Sequence, residues 1–252
     1  MRAQSANGWS LLEPAWIKPN ERINTMPVNN TEWPRFLRSL ERKRQLLIRG
    51  NPQRPHSLPA SYFVEATYSS FRQEGIDLHP TEVSSALVHG KNHHALRSRI
   101  AQRIRNHAAI LHTIENSIRL GESLKMSDVT RWYTSLGTGL INTSLPDGTM
   151  NRLDMVVRRI SAPQLRLQQA LSDIARLYVQ LQIDPLFPSF NGMIARFILR
   201  YHLGKSGLPP VVLNPETDPP RALDEAMFLS RMLHLLEQSH DILLNDSANQ
   251  PA

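Results

Sequence analysis

The sequence predicts a mainly α protein, a helical bundle with one small β-hairpin. Two observations carry that expectation. Apolar residues recur at three- and four-residue intervals over most of the chain, the pattern of helices that bury one stripe. Met155-Val156-Val157-Arg158-Arg159-Ile160, after the turn Pro146-Asp147-Gly148, is the best strand-like run of the chain. Rossmann and P-loop strings, a serine-hydrolase elbow and internal repeats are all missing, so no competing architecture is signalled.

With 252 residues, 40% of them hydrophobic, the chain can bury one large core or two small ones. It has no cysteine, which excludes disulfides and cysteine-based metal or redox sites. No apolar run reaches the about 18 residues of a membrane span. The segment from Met1 to Trp9 lacks the apolar centre of a signal peptide, so a cytoplasmic location is expected, with signal-less secretion as the other route. A net charge of +7 permits an acidic partner or nucleic acid.

Residues 1–30, with Trp9, Pro14, Trp16, Pro19 and Pro27, read as an extended arm. A helix is expected from Thr31, with Pro34 in its first turn. Its apolar side holds Phe36, Leu37, Leu40, Leu47 and Ile48, and its basic side Arg35, Arg38, Arg42, Lys43, Arg44 and Arg49. A solvated face with packed aliphatic stems explains these charges; nucleic acid is the second reading, without an aromatic or recognition-helix pattern to support it. After the Pro-rich linker Asn51 to Pro59, a helix resumes at about Ser61 and runs to Gly75. On it Ser70 and Glu74, four apart, face the same way, and Gly75 closes the helix in a left-handed conformation.

Val83, Leu87 and Val88 mark a helix interrupted near Gly90, and Leu96, Ile100, Ile104, Ile110, Leu111, Ile114 and Ile118 mark another that ends at Gly121. His89 and His93 have zinc-compatible spacing, but Gly90 lies between them and there is no third ligand, so no metal site is assigned. Ser127-Asp128 opens a helix through Trp132, Tyr133 and Leu136. Beyond the hairpin, residues 164–182 form a helix with a wide apolar surface that delivers the chain to Asp184. The loop from Ile183 to Phe190 then turns at Asn191-Gly192 into a helix whose apolar face is Ile194, Phe197, Ile198 and Tyr201. Asn191 offers a capping side chain and Gly192 a backbone without Cβ. Free N–H groups at such a helix start suit a phosphate. Arg221 to Leu244 form the last helix. The chain thus divides into an arm and basic helix (1–58), a helical domain (59–244) and a polar tail (245–252).

The turn resembles the signature loop of the Fic (Fido-domain) family, His-Pro-Phe-x-(Asp/Glu)-Gly-Asn-Gly-Arg-x-x-Arg. Asp184-Pro185-Leu186-Phe187 matches its first half with Asp184 in place of histidine. Asn191-Gly192-x-x-x-Arg196 matches its second half with Met193 in place of the first arginine, and one extra residue separates the halves. The segment Gly207 to Leu213 resembles the stretch just beyond that family's motif helix. Ser70, Glu74 and Gly75 resemble its inhibitory helix, (Ser/Thr)-x-x-x-Glu-(Gly/Asn). The strand-like run, with Val156, Val157 and Arg158 at its centre and Gly148 and Arg152 before it, resembles its flap.

The resemblance covers about residues 60 to 240 and implies a Fido-like helical bundle with an inhibitory helix at about 61–75. It further implies ATP or another nucleotide as ligand, and transfer of a nucleotide monophosphate to a protein hydroxyl (AMPylation). Asp184 would stand at the position of the base, and Asn191, Gly192 and Arg196 would hold the phosphates. Glu74 would reach Arg196 and obstruct nucleotide binding, and an unidentified target protein would dock at the flap. The substitutions imply impaired or altered catalysis. A carboxylate is a weaker base than imidazole; Pro188 or Ser189 offers no hard charged ligand for magnesium; Met193 donates nothing to a phosphate. Arg200, one turn beyond Arg196, could restore some charge. The alternative is a non-catalytic regulatory protein that binds a macromolecule through the flap or the basic surface.

Overall fold

The computed structural model describes residues 33–50, 58–88, 98–138, 148–149, 151–154, 167–213 and 224–248. Eight helices of nine residues or more lie among them: α1 (Trp33–Gly50), α2 (Ala60–Gln73), α3 (Pro80–Val88), α4 (Ser98–Arg119), α5 (Met126–Gly137), α6 (Leu167–Ile183), α7 (Asn191–Lys205) and α8 (Glu225–Ala248). No strand occurs among the described residues. The expected flap residues Val156, Val157 and Arg158, the pair His89 and His93, and the N-terminal arm lie outside them.

The bundle is built around α7. The expectation of one apolar face on this helix understates its burial: Met193, Ile194, Ala195, Phe197, Ile198, Leu199, Tyr201 and Leu203 are all buried, as are the polar Arg200 and His202. Helices α6, α4, α2 and α5 pack around it, and a helix enclosed on all sides has no solvent stripe to betray its orientation. Gly204 permits the close approach of α4: a Cβ there would lie 2.4 Å from Ile118 Cδ1. Arg200 and Glu115 tie the same two helices by a bidentate ion pair, Nε to Oε1 at 2.6 Å and Nη2 to Oε2 at 2.5 Å.

The basic helix α1 packs on α8, with Leu40 fully buried in the shared core. Two of its cations are engaged: Lys43 pairs with Asp241 at 2.7 Å, and Arg44 donates to the Ser206 carbonyl at 3.0 Å while holding Glu41. The last helix starts later and ends later than expected. Asp224 caps it, its side chain accepting from the Met227 N–H at 2.7 Å, which fixes the start at Glu225. No glycine or proline stops it before Pro251, so Asn245 to Ala248, expected in the polar tail, continue the helix.

Candidate functional site

The site begins where α2 ends. The Gly75 N–H bonds the Arg72 carbonyl and the Ile76 N–H bonds the Phe71 carbonyl, both at 3.0 Å. This is the paired closure that needs a left-handed residue, which Gly75 supplies at φ 76°. Glu74 is therefore the cap residue, at the very tip of α2. Its carboxylate meets α7 there.

Arg196 gathers the tip of α2 with its whole guanidinium. Nε donates to Ser70 Oγ at 3.0 Å, Nη1 to Gln73 Oε1 at 2.7 Å, and Nη2 to both the Ser70 carbonyl at 3.0 Å and Glu74 Oε1 at 2.9 Å. The Arg196 side chain is only 9% exposed and that of Glu74 25%. Gln73 also donates to the Leu213 carbonyl at 2.8 Å, and Ser69 donates to the same oxygen, so the segment after α7 braces the contact. At Gly192 a Cβ would lie 2.5 Å from Glu74 Oε1 and 3.1 Å from Arg196 Nη1. The space left by the missing side chain is thus filled by a carboxylate, at the positive end of α7. Ser70, Gln73, Glu74, Gly192 and Arg196 meet at this point, and Gly75 closes the helix that carries Glu74 there.

Asn191 acts differently from the expectation. Its side chain does not cap α7 or face the cleft: Oδ1 accepts from the Leu186 and Phe187 N–H groups at 2.9 and 3.3 Å, and Nδ2 donates to the Leu181 carbonyl at 2.6 Å. The cap position falls on Phe190, in the left-handed region at φ 59°, which turns the amide back onto its own loop. Leu186 and Phe187 anchor that loop in the core, with Phe187 against Tyr133 at 4.9 Å between ring centroids.

Asp184 stands on the loop's outer side, 73% exposed and paired with Arg152. It is thus a solvated, ion-paired carboxylate. Pro188 is exposed and Ser189 half-buried, and neither carries a carboxylate. The nearby acids are engaged, Glu74 with Arg196 and Asp184 with Arg152. No cluster of three His, Asp or Glu able to hold a metal exists among the described residues. The donor set does not fit magnesium. Met193 is fully buried, so its side chain belongs to the core and not to the cleft.

Arg200 does not add charge to the cleft either, because it is buried and committed to Glu115. Burial raises the Glu115 carboxyl above the ordinary carboxylate range, and the Arg200 charge and hydrogen bond pull it back. His107 lies beneath the site, bonded through Nδ1 to Thr67 Oγ1 at 3.0 Å, with its pKa pushed down to about 3 by burial and by the Arg196 charge. A cavity of about 30 Å³ opens here among Ser70, His107, Arg196 and Arg200. It has room for a water molecule and not for a nucleotide.

One residue of the site carries no signal in the sequence. Arg103 of α4 lays its guanidinium over the Phe190 ring, 4.8 Å from the centroid. Burial pulls its pKa below the ordinary arginine value while the Glu74 charge pulls it up, so the two side chains sense one another. Its α4 position carries no motif, and only the tertiary fold brings it against Phe190.

No protein-family model matches the sequence, and no curated protein matches it either. The fold does have solved counterparts. A Fic domain containing signaling protein from Bacteroides thetaiotaomicron superposes with a TM-score of 0.67 at 16% identity, over 86% of this chain and 99% of that one. Fic-1 from C. elegans gives a TM-score of 0.67 at 18% identity, over 85% of this chain and 72% of that one. A glutamate-to-glycine variant of Fic-1 gives 0.65 at 18% identity, over 88% of this chain and 74% of that one. Over at least 85% of its length this chain has the Fic (Fido) fold.

Proposed function

We propose that this chain is a divergent relative of the Fic-type protein AMP-transferases, with a phosphate-binding cleft obstructed by Glu74 and impaired transfer chemistry. The observation that carries the reading is the Glu74 carboxylate, held by Arg196 and seated against Gly192. A carboxylate there takes the place a ligand phosphate would need, and it is an internal anion bound to an anion site. The impairment rests on Asp184, which is exposed and engaged by Arg152, and on the lack of a carboxylate for magnesium at Pro188 or Ser189. No step of transfer runs through a metal on this reading. Binding and chemistry separate: removal of Glu74 opens the cleft to a nucleotide and leaves the hydroxyl proton of an acceptor without an efficient base.

The test is label transfer from α-labelled ATP to protein, using the Glu74→Gly variant with candidate lysates. The expected result is no labelling above that of the wild type. Robust labelling that disappears on adding Asp184→Ala would overturn the proposal and make Asp184 a working base.

A further inference from the structure

Met193 removes one arginine from the cleft, and the fold brings another to it. The residue before Asn191-Gly192, glycine in the family motif, is Phe190, and it holds φ 59°. A bulky residue with positive φ is a genuine outlier, since its Cβ crowds the backbone. Such strain persists where the surroundings impose it, commonly at binding sites. What Phe190 supplies in return is a flat ring beneath the Arg103 guanidinium, 4.8 Å from the centroid. Tyr133, 6.4 Å away between centroids, packs beside that ring. Arg103 is partly buried, and its Nε is closed to solvent with no hydrogen-bond partner among the described residues. An inward-facing donor left without an acceptor is uncommon.

We infer that Arg103 is the second cation of the cleft: once Glu74 is displaced, the Arg103 and Arg196 guanidiniums together hold the phosphates of a nucleoside di- or triphosphate. This rests on the reading of the cleft proposed above and adds to it the source of the charge that Met193 took away. Arg103 comes from α4 and Arg196 from α7, so the two approach the ligand from different helices, with Phe190 setting the height of the first. Stacking orients a guanidinium without consuming its N–H donors, which leaves them for phosphate oxygens. With no carboxylate placed for magnesium, the two arginines neutralise the phosphates directly, so binding is independent of the metal.

The test is titration calorimetry with ATP, ADP and adenosine, in EDTA, on Glu74→Gly and on the same protein carrying Arg103→Ala or Arg103→Lys. The expected result is a loss of ATP and ADP affinity of roughly tenfold or more with Arg103→Ala, unchanged adenosine affinity, and partial recovery with Arg103→Lys. A merely structural role would weaken all three ligands alike, and that outcome overturns the inference. Equal ATP affinity with and without Arg103 overturns it too, while leaving the nucleotide reading intact. If Glu74→Gly itself binds neither ATP nor ADP, the reading of the cleft fails and the role of Arg103 falls with it.

Discussion

Glu74 sits between two helix ends of opposite sign. As the cap of α2 its carboxylate faces the negative end of that helix, a disfavoured place. Against Gly192 it lies at the positive end of α7, where Arg196 also holds it. Arg196 and α7 therefore keep it in place, and a ligand anion able to replace it would inherit both. From the sequence this pairing was expected only through the resemblance, with Ser70, Glu74 and Gly75 matching the inhibitory-helix pattern and Arg196 the signature loop; helix geometry by itself gave no partner for Glu74. The role of Asn191 was not legible in the sequence. A capping residue before a helix and a loop clamp have the same composition, and only the left-handed Phe190 decides which way the amide turns. Met193 gives the residue-scale prediction. Since it is fully buried, Met193→Arg does not simply restore a motif arginine but puts an uncompensated cation into the core. Thermal unfolding should show a stability loss of roughly 3 kcal/mol or more. An unchanged Tm would mean that the new side chain reaches the cleft without strain.

Between elements, the buried ion pair of Arg200 and Glu115 joins the central α7 to α4, with side chains 3% and 8% exposed. From sequence, Arg200 reads as an extra charge one turn from Arg196, because helical spacing gives its direction only relative to neighbours on the same helix. What surrounds it is set by α4. Removing one partner leaves the other charge buried, so Glu115→Ala should cost about 3–5 kcal/mol in urea unfolding. Replacing both with apolar residues of similar volume should recover most of that loss. If the single and the double replacement are equally damaging, the pair is not the source of the cost. Helix order and approximate bounds were legible because amphipathic periodicity survives in α2, α4, α5 and α6. The start of α8 depended on Asp224 as its cap, whose recognition requires knowing where the preceding loop ends.

At the scale of the whole molecule, burial makes stability sensitive to acid. His107, His202 and His240 are buried, and burial pushes their pKa values down to about 3, about 3 and about 4. Between those values and the ordinary 6.5 the unfolded chain binds more protons than the folded one. Stability therefore rises with pH through that window and is lost as pH falls below about 6.5. Each ring contributes roughly 2 kcal/mol of loss between pH 7 and pH 5. The Tm should drop steeply over that range, and His202→Leu should make the drop shallower. A Tm that is flat from pH 7 to pH 5 would show that these rings are not held neutral. Nothing in the sequence separates these histidines from exposed ones, since burial comes from helices distant in the chain.

On the proposed reading, Glu74 occupies the seat of a ligand phosphate. The most direct measurement is the shift in Tm produced by millimolar ATP, without magnesium, in the wild type and in Glu74→Gly. A ligand present at about 100 times its Kd adds roughly 2.7 kcal/mol to folding stability, a clear rise in Tm. That rise is expected in Glu74→Gly, and little or none in the wild type. Equal shifts in both proteins, or none in either, would contradict the reading.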